Sequence, residues 1–435
     1  MRILPALLPA IYFVLLTLGA AFTPLWLDEL HELVGTYRRS VSELLYWAQF
    51  SPGATPLNFF AQKLSLDAFG FSSLTVRLPA IAFGTASLWM FIRIAREHTK
   101  SRWLLAAIIF ALLPHVFRYG VEGRPYSQGM FFALVAFWFW TRLEREPTTR
   151  DGIYLALAVS ASLYSHVYSV FVAFGAALWS LRNRRSRTGV ILATFAGCLS
   201  YVPWYFMQKA MQSIAPGAAT YSVDWAHFSI LGFLRELGGG GYFCSVPLLI
   251  LAAVGVTKTR DRRLLAPCLA SLIGPLAADA VMGYYFAGRQ LIFALPFLVL
   301  LAMPGVSRSP KSASALLLIP LLAASIKYDF RQATVPREDW QTPAQRLSSS
   351  GSCVYVWSPD QLQYLQVYEP SLKQCDVSQS PSEILYVTTR YSPPTDPPKG
   401  YRKVQSERVG IAEIALYRRD DNLKIYGLSR FFFRQ

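Results

Sequence analysis

Asp28, Glu29, His31 and Glu32 crowd into the stretch "PLWLDELHEL" (24–33), directly after a run of about twenty apolar residues. A carboxylate or an imidazole in such a place can take or give a proton. Further ionisable groups follow at similar positions. Glu122, Arg124 and Tyr126 stand in "YGVEGRPYSQ", His166 in "SLYSHVYS", and Tyr284, Tyr285 and Arg289 in "GYYFAGRQ". A guanidinium fork suits phosphate oxygens. Each group also has a plain structural reading. The acidic residues could be solvated loop residues, and Arg289 could be a snorkelling anchor. His166 could simply be hydrogen-bonded at a helix end, and Glu122 with Arg124 could be a local ion pair of little energetic value. Their order along the chain carries more information than any one of them.

Apolar segments must position these groups. The chain has 435 residues, 53% of them hydrophobic and only 16% charged, with a mean hydropathy of +0.31. Soluble domains carry about 25% charged residues, so this composition implies a polytopic membrane protein in contact with the lipid bilayer. About eleven spans are expected, near 3–25, 75–95, 101–117, 127–143, 151–164, 166–181, 189–207, 242–257, 264–283, 288–304 and 312–326. The run 151–181 is split at His166, whose polar neighbours would be costly at mid-bilayer. The formal charge of +16 could suggest a nucleic-acid partner, but its placement argues against one. Arg93, Arg96, Lys100 and Arg102 separate two spans, and so do Arg142, Arg145 and Arg150. The clusters Arg182–Arg187, Lys258–Arg263 and Arg308–Lys311 do the same in alternate gaps, as cytoplasmic loops of a plasma-membrane protein would. The N-terminus is then cytoplasmic, the C-terminus extracellular or periplasmic, and the groups from Asp28 to Glu32, Glu122 to Tyr126, His166 and Tyr284 to Arg289 lie at the outer ends of spans.

The first outer loop, about 26–74, reads as structured. Ser40 and Glu43 form a capping box for "VSELLYWAQF", and Thr55 with Pro56 opens "PLNFFAQKLSLDAF". Both segments suit helices lying in the membrane interface. A second long loop, about 208–241, carries "PGAAT" and "GGGG" and has the character of a lid. Residues 1–326 therefore form a transmembrane domain. Residues 327–435 form a small α/β domain with strand-like "CVYVW", "EILYVTT" and "AEIALYR" and a helix opened by "SPDQ". Of the five cysteines, Cys353 and Cys375 flank a strand–helix–turn unit in a compartment that permits disulfides. A stapling bond is expected there, two free thiols being the alternative.

The order of motifs resembles the glycosyltransferase C superfamily, in its protein O-mannosyltransferase and aminoarabinose (lipid A) transferase branch. "LDEL" matches the acidic pair after the first span, "TPLNFFAQKLSLDAFGFSSLTVRLPAIAFG" its interfacial passage, and "LPHVFRYGVEGRPYSQ" its loop before the fourth span. "LYSHVYSVFV", "YYFAGRQLIFALPFLVLLA" and "REDWQTPAQRL" match later stretches. Ala54-Thr55-Pro56, Asn58 and Gln290 depart from the usual pattern. The resemblance implies a membrane enzyme that moves a sugar from a polyprenyl-phosphate donor to a glycan, lipid or protein acceptor, inverting the anomeric centre. It implies Asp28 as the base with Glu29 supporting or positioning it, and Glu122 would orient the acceptor or hold Arg124. Arg289, with Arg124 and His31 behind it, would hold the donor phosphate, and His166, Tyr126 and Tyr285 would line the pocket. The donor carries no nucleotide diphosphate, so no cofactor or metal is expected. The alternatives are a lipid-linked glycan polymerase or ligase, which would rely on cationic and histidine residues in a large outer loop, and a secondary transporter, which would place its ionisable groups near mid-membrane.

Overall fold

The structure is a computed structural model and describes residues 4–50, 55–214, 230–259, 261–282, 287–351, 353–356, 359–379, 381–389, 392 and 399–420. It divides into two compact units: Met1–Thr23 with Gly35–Val335, and Pro24–Val34 with Pro336–Gln435. The segment 24–34, which carries the acidic cluster, thus packs with the C-terminal part of the chain.

The first unit is helical. Among the described residues five helices are long and apolar enough to cross a membrane: Leu4–Ala21, Ser73–His98, Arg187–Met211, Gly288–Arg308 and Lys311–Thr334. One further helix pair is apolar enough only when taken together, as a broken span or a re-entrant loop. Lys100–Leu112 and Pro114–Val121 meet at 60°, because Pro114 cannot donate to the preceding turn and opens a new helix there. Shorter or more polar helices fill the rest, and the long stretch near 151–181 does divide at His166, between Thr149–Ser165 and Val170–Ser180. Helix Gly288–Arg308 is the most enclosed of the spans. Its neighbour Tyr242–Lys258 approaches so closely that a Cβ on Gly255 would lie 1.7 Å from the Leu301 carbonyl oxygen. One on Gly305 would lie 2.3 Å from that of Leu251, so small residues set this backbone contact. Leu7, Ile11, Val14 and Leu18 of the first helix remain exposed, as a lipid-facing stripe requires.

The expected interfacial helices are present as Val41–Phe50 and Pro56–Phe69. Ser40 and Glu43 cap the first reciprocally, at 2.8 and 3.3 Å. Thr55 precedes the second, but its hydroxyl donates to the Ser165 carbonyl rather than capping its own helix. In the stretch 208–241, helix Val202–Ile214 runs further than a loop reading allows, and Ile230–Glu236 is helical. Residues 215–229 between them, with all of "PGAAT", lie outside the described residues.

In the second unit a four-stranded sheet runs in the order β1 (Val354–Val356), β2 (Glu383–Thr389), β4 (Ala412–Arg419), β3 (Tyr401–Val409). β1 and β2 are parallel and joined through helix Pro359–Tyr368; the other pairs are antiparallel. β3 was not foreseen. It is an edge strand exposed on both faces, so "YRKVQSERV" has no alternation to betray it. Its hairpin turn needs Gly410, whose φ is +56° and whose Cβ, if present, would lie 2.5 Å from the Asp339 carbonyl oxygen. Cys353 and Cys375 are bonded, with Cα atoms 5.3 Å apart, beside the core residues Ile384, Tyr386 and Tyr417.

Candidate functional site

In the membrane unit, helix Pro114–Val121 and the turn after it bring a charged cluster together. Arg118 Nε donates to Glu122 Oε1 at 2.6 Å, one helical turn away. The Arg124 backbone N–H donates to the Glu122 carbonyl at 2.7 Å, folding the "EGRP" turn back on the helix end. Gln62 reinforces that turn from the interfacial helix, donating from its side chain to the Gly123 carbonyl at 2.6 Å. Rings form one wall: Tyr119 lies 4.2 Å from Tyr126, Tyr126 4.6 Å from His166, and His166 5.1 Å from Phe293, centroid to centroid. His166 Nδ1 accepts the Tyr168 N–H at 3.3 Å and so caps the turn Val167–Ser169, which leaves Nε2 as its other polar atom.

Arg289 enters from the turn Gly288–Ala294, which leads into the enclosed span. Gln290, a departure from the family pattern, has a structural use: its side-chain oxygen accepts the Ala287 N–H at 2.9 Å and closes this turn. The charges of Arg124 and Arg289 both act on His166, and that of Arg289 also acts on Arg118 and Tyr119. The membrane unit therefore gathers Arg118, Glu122, Arg124, Tyr126, His166 and Arg289. Arg118 and Tyr119 escaped the sequence reading. The signal for Arg118 was its i,i+4 spacing from Glu122. Tyr284 and Tyr285 lie outside the described residues.

Asp28, Glu29 and His31 belong to the other unit. They stand on the helix Leu27–Val34, which the C-terminal chain clamps. Buried Glu29 sits at the third helical position and accepts the Trp26 N–H at 3.2 Å, the reciprocal half of a capping box. Glu338 accepts the Leu27 N–H at 2.8 Å and the indole N–H of fully buried Trp340 at 2.9 Å. Tyr368 accepts the Leu25 N–H at 3.2 Å, and the Arg337 guanidinium lies 3.3 Å from the Trp26 ring centre. Half-buried Asp28 occupies the second helical position, where a carboxylate complements the helix dipole. One turn on, His31 Nδ1 lies 3.3 Å from the Tyr364 hydroxyl. Burial, with the charges of Asp360 and Asp28, holds that hydroxyl well above the usual tyrosine range, so it remains a neutral hydrogen-bonding group. Tyr364 and Glu338 also escaped the sequence reading, being more than 300 residues away in the chain.

Residues 53–206 match the family model of the dolichyl-phosphate-mannose-protein mannosyltransferases. No curated protein sequence matches the chain. Solved structures do match in fold. ArnT from Cupriavidus metallidurans in the apo state covers 95% of this chain and 98% of its own at 14% identity, with a TM-score of 0.59. The same protein bound to undecaprenyl phosphate covers 94% and 97% at 15% identity, with a TM-score of 0.56. The arabinofuranosyltransferase AftD from mycobacteria covers 96% of this chain and 41% of its own at 16% identity, with a TM-score of 0.54. The chain therefore shares its fold with these structures, and residues 53–206 carry the mannosyltransferase family pattern. In this chain the acidic pair and the "REDW" motif are parts of one clamp, since Glu338 and Trp340 fasten the first turn of the helix that bears Asp28.

Proposed function

We propose that this protein is a membrane glycosyltransferase that moves a sugar from a polyprenyl-phosphate donor to an acceptor hydroxyl or phosphate at the outer face of the plasma membrane, with inversion at the anomeric carbon. The observation that carries the reading is the gathering of Arg118, Arg124 and Arg289 about Glu122, Tyr126 and His166 in the membrane unit. A cluster with more guanidinium than carboxylate charge suits a phosphate oxygen, and it would stabilise the charge that grows on the phosphate as the sugar leaves.

Asp28 is the base. As the acceptor oxygen bonds to the anomeric carbon, its proton passes to the Asp28 carboxylate. The bond from that carbon to the phosphate oxygen breaks, and polyprenyl phosphate leaves with the electron pair. Glu29, whose carboxylate is spent on the Trp26 N–H, positions the helix and takes no proton in the step. His31 stands beside Tyr364 and belongs with Asp28, so in this reading it helps to place the acceptor and the phosphate falls to the arginines. The undecaprenyl phosphate bound in one ArnT structure supports the choice of donor class.

Purified protein in proteoliposomes, supplied with a panel of polyprenyl-phosphate sugars, tests this directly. Consumption of one donor with release of polyprenyl phosphate is expected. Mass spectrometry of envelope glycolipids and glycoproteins, with and without the protein, should then show one sugar missing. No donor consumed and no envelope sugar changed would overturn the proposal.

A further inference from the structure

The second unit contains a cavity of its own. The segment Pro336–Asp339, the end of β2 and the β3–β4 hairpin border an open cleft of about 600 Å³, within the roughly 300–1,000 Å³ of small-molecule sites. Arg337, Glu338, Thr388, Thr389, Arg408 and Glu413 line it. Small-molecule sites are usually apolar with a few polar groups, whereas this one sets charged and hydroxyl side chains beside a smaller apolar share from Pro336 and Ile411. Its charges are of both signs, so a phosphate entering beside the arginines would also face carboxylates, and a cation would face the reverse. What suits it is a neutral ligand dense in hydroxyls. Guanidinium and carboxylate groups can each engage two adjacent hydroxyls, and threonine can donate or accept.

The cavity is built before any ligand arrives. The Ile411 N–H donates to the Asp339 carbonyl at 3.2 Å and pins the hairpin to the 336–339 segment. Asp339 is held in turn by the Thr342 hydroxyl at 2.7 Å and the Thr342 N–H at 3.0 Å. Lys403 pairs with Glu413 at 2.9 Å, fixing one wall. The cavity also adjoins the helix of the proposed base. Glu338, in its lining, accepts the N–H of Leu27, the residue before Asp28, and Arg337 lies on the ring of Trp26.

We propose that this cavity seats the acceptor, and that the acceptor is a neutral sugar unit, such as the end of a glycan, rather than a phosphorylated lipid headgroup. The proposal rests on the reading of Asp28 as the base. It adds the acceptor class and the residues that select it.

Saturation-transfer NMR on the full chain in nanodiscs tests it, with neutral disaccharides built on mannose, glucose, galactose and arabinose as probes, and glucosamine 1-phosphate as the charged competitor. At least one disaccharide should bind, glucosamine 1-phosphate should bind no more tightly, and Arg408→Ala and Thr388→Val should each weaken the bound disaccharide about tenfold. Polyprenyl phosphate affinity, measured on the same samples, should match wild type and shows that the variants are folded. Unchanged disaccharide affinity in both variants, or preference for glucosamine 1-phosphate, overturns the proposal. Disaccharide binding that is lost in the variants, in a protein that never binds polyprenyl phosphate, would support the sugar cavity and count against the donor reading alone.

Discussion

Asp28 and Glu29 are neighbours of the same charge, yet the structure gives them different work. Glu29 is buried and its carboxylate answers a backbone N–H; Asp28 is half-buried and its charge acts on Tyr364, the neighbour of His31. Asp28→Asn keeps the shape and removes the basicity. Transfer should fall by at least about 10², the low end for general base catalysis, while thermal stability and polyprenyl phosphate affinity hold. Retained turnover in the reconstituted variant would remove Asp28 from the mechanism. At the phosphate end, Arg289→Ala should weaken polyprenyl phosphate binding by about 10- to 100-fold, the cost of a charge-assisted hydrogen bond. Arg289→Lys should recover only part of it, because a point charge lacks the fork. Arg118→Ala combines loss of a cation with exposure of Glu122 to the same cluster, so its effect should equal or exceed that of Arg289→Ala. Equal affinities for wild type and Arg289→Ala, measured by titration, would make Arg289 an anchor only.

At the scale of elements, the helix Leu27–Val34 has eight residues and could not persist alone. Its first turn is held by Glu29, Glu338 and Tyr368, each taking a backbone N–H. Glu338→Ala leaves both the Leu27 N–H and the Trp340 indole unanswered, at about 1–3 kcal/mol for each buried donor. The expected result is a lower melting temperature and a fall in kcat, with polyprenyl phosphate affinity unchanged. A variant that melts lower at full kcat would show that the clamp serves folding alone. Much of this level was legible in advance. The capping box at Ser40, the break at His166 and the strands "EILYVTT" and "AEIALYR" follow local rules, which act over a few residues. What was not legible depends on distant partners or on the absence of a pattern. Thr55 looked like a cap and bonds Ser165 instead; β3 has no buried face; Pro114 sits within an apolar run that reads as one straight span. The union of residues 24–34 with 336–420 has no local signature at all, since it is made by single hydrogen bonds across the length of the chain.

At the scale of the whole molecule, the arrangement of charge has to agree with the arrangement of chemistry. Donor, acceptor and base must share one side of the bilayer, and the basic loops should occupy the other. In a background freed of other reactive thiols, Lys399→Cys in the C-terminal unit should react with a membrane-impermeant maleimide in intact cells, and Arg185→Cys should react only after lysis. The disulfide belongs to the same side. Cys353 and Cys375 are 22 residues apart in sequence, and closing a loop of that size stabilises a chain by about 3 kcal/mol in the entropy model. Because Cys353 immediately precedes β1 and the bond returns the chain beside β1, where Gln374 bridges Val354, its loss should loosen the sheet against which the clamp is built. Cys353→Ser with Cys375→Ser should therefore lower the melting temperature of the C-terminal unit while kcat at low temperature stays near wild type. Reductant should have no further effect on that double variant but should lower the melting temperature of wild type. External labelling at Arg185→Cys would turn the membrane topology over and place Asp28 in the cytoplasm. The disulfide would then stand in a reducing compartment, where such bonds are rare, so the two experiments must agree: an oxidised pair at 353 and 375 in freshly isolated membranes requires position 185 to stay unlabelled from outside.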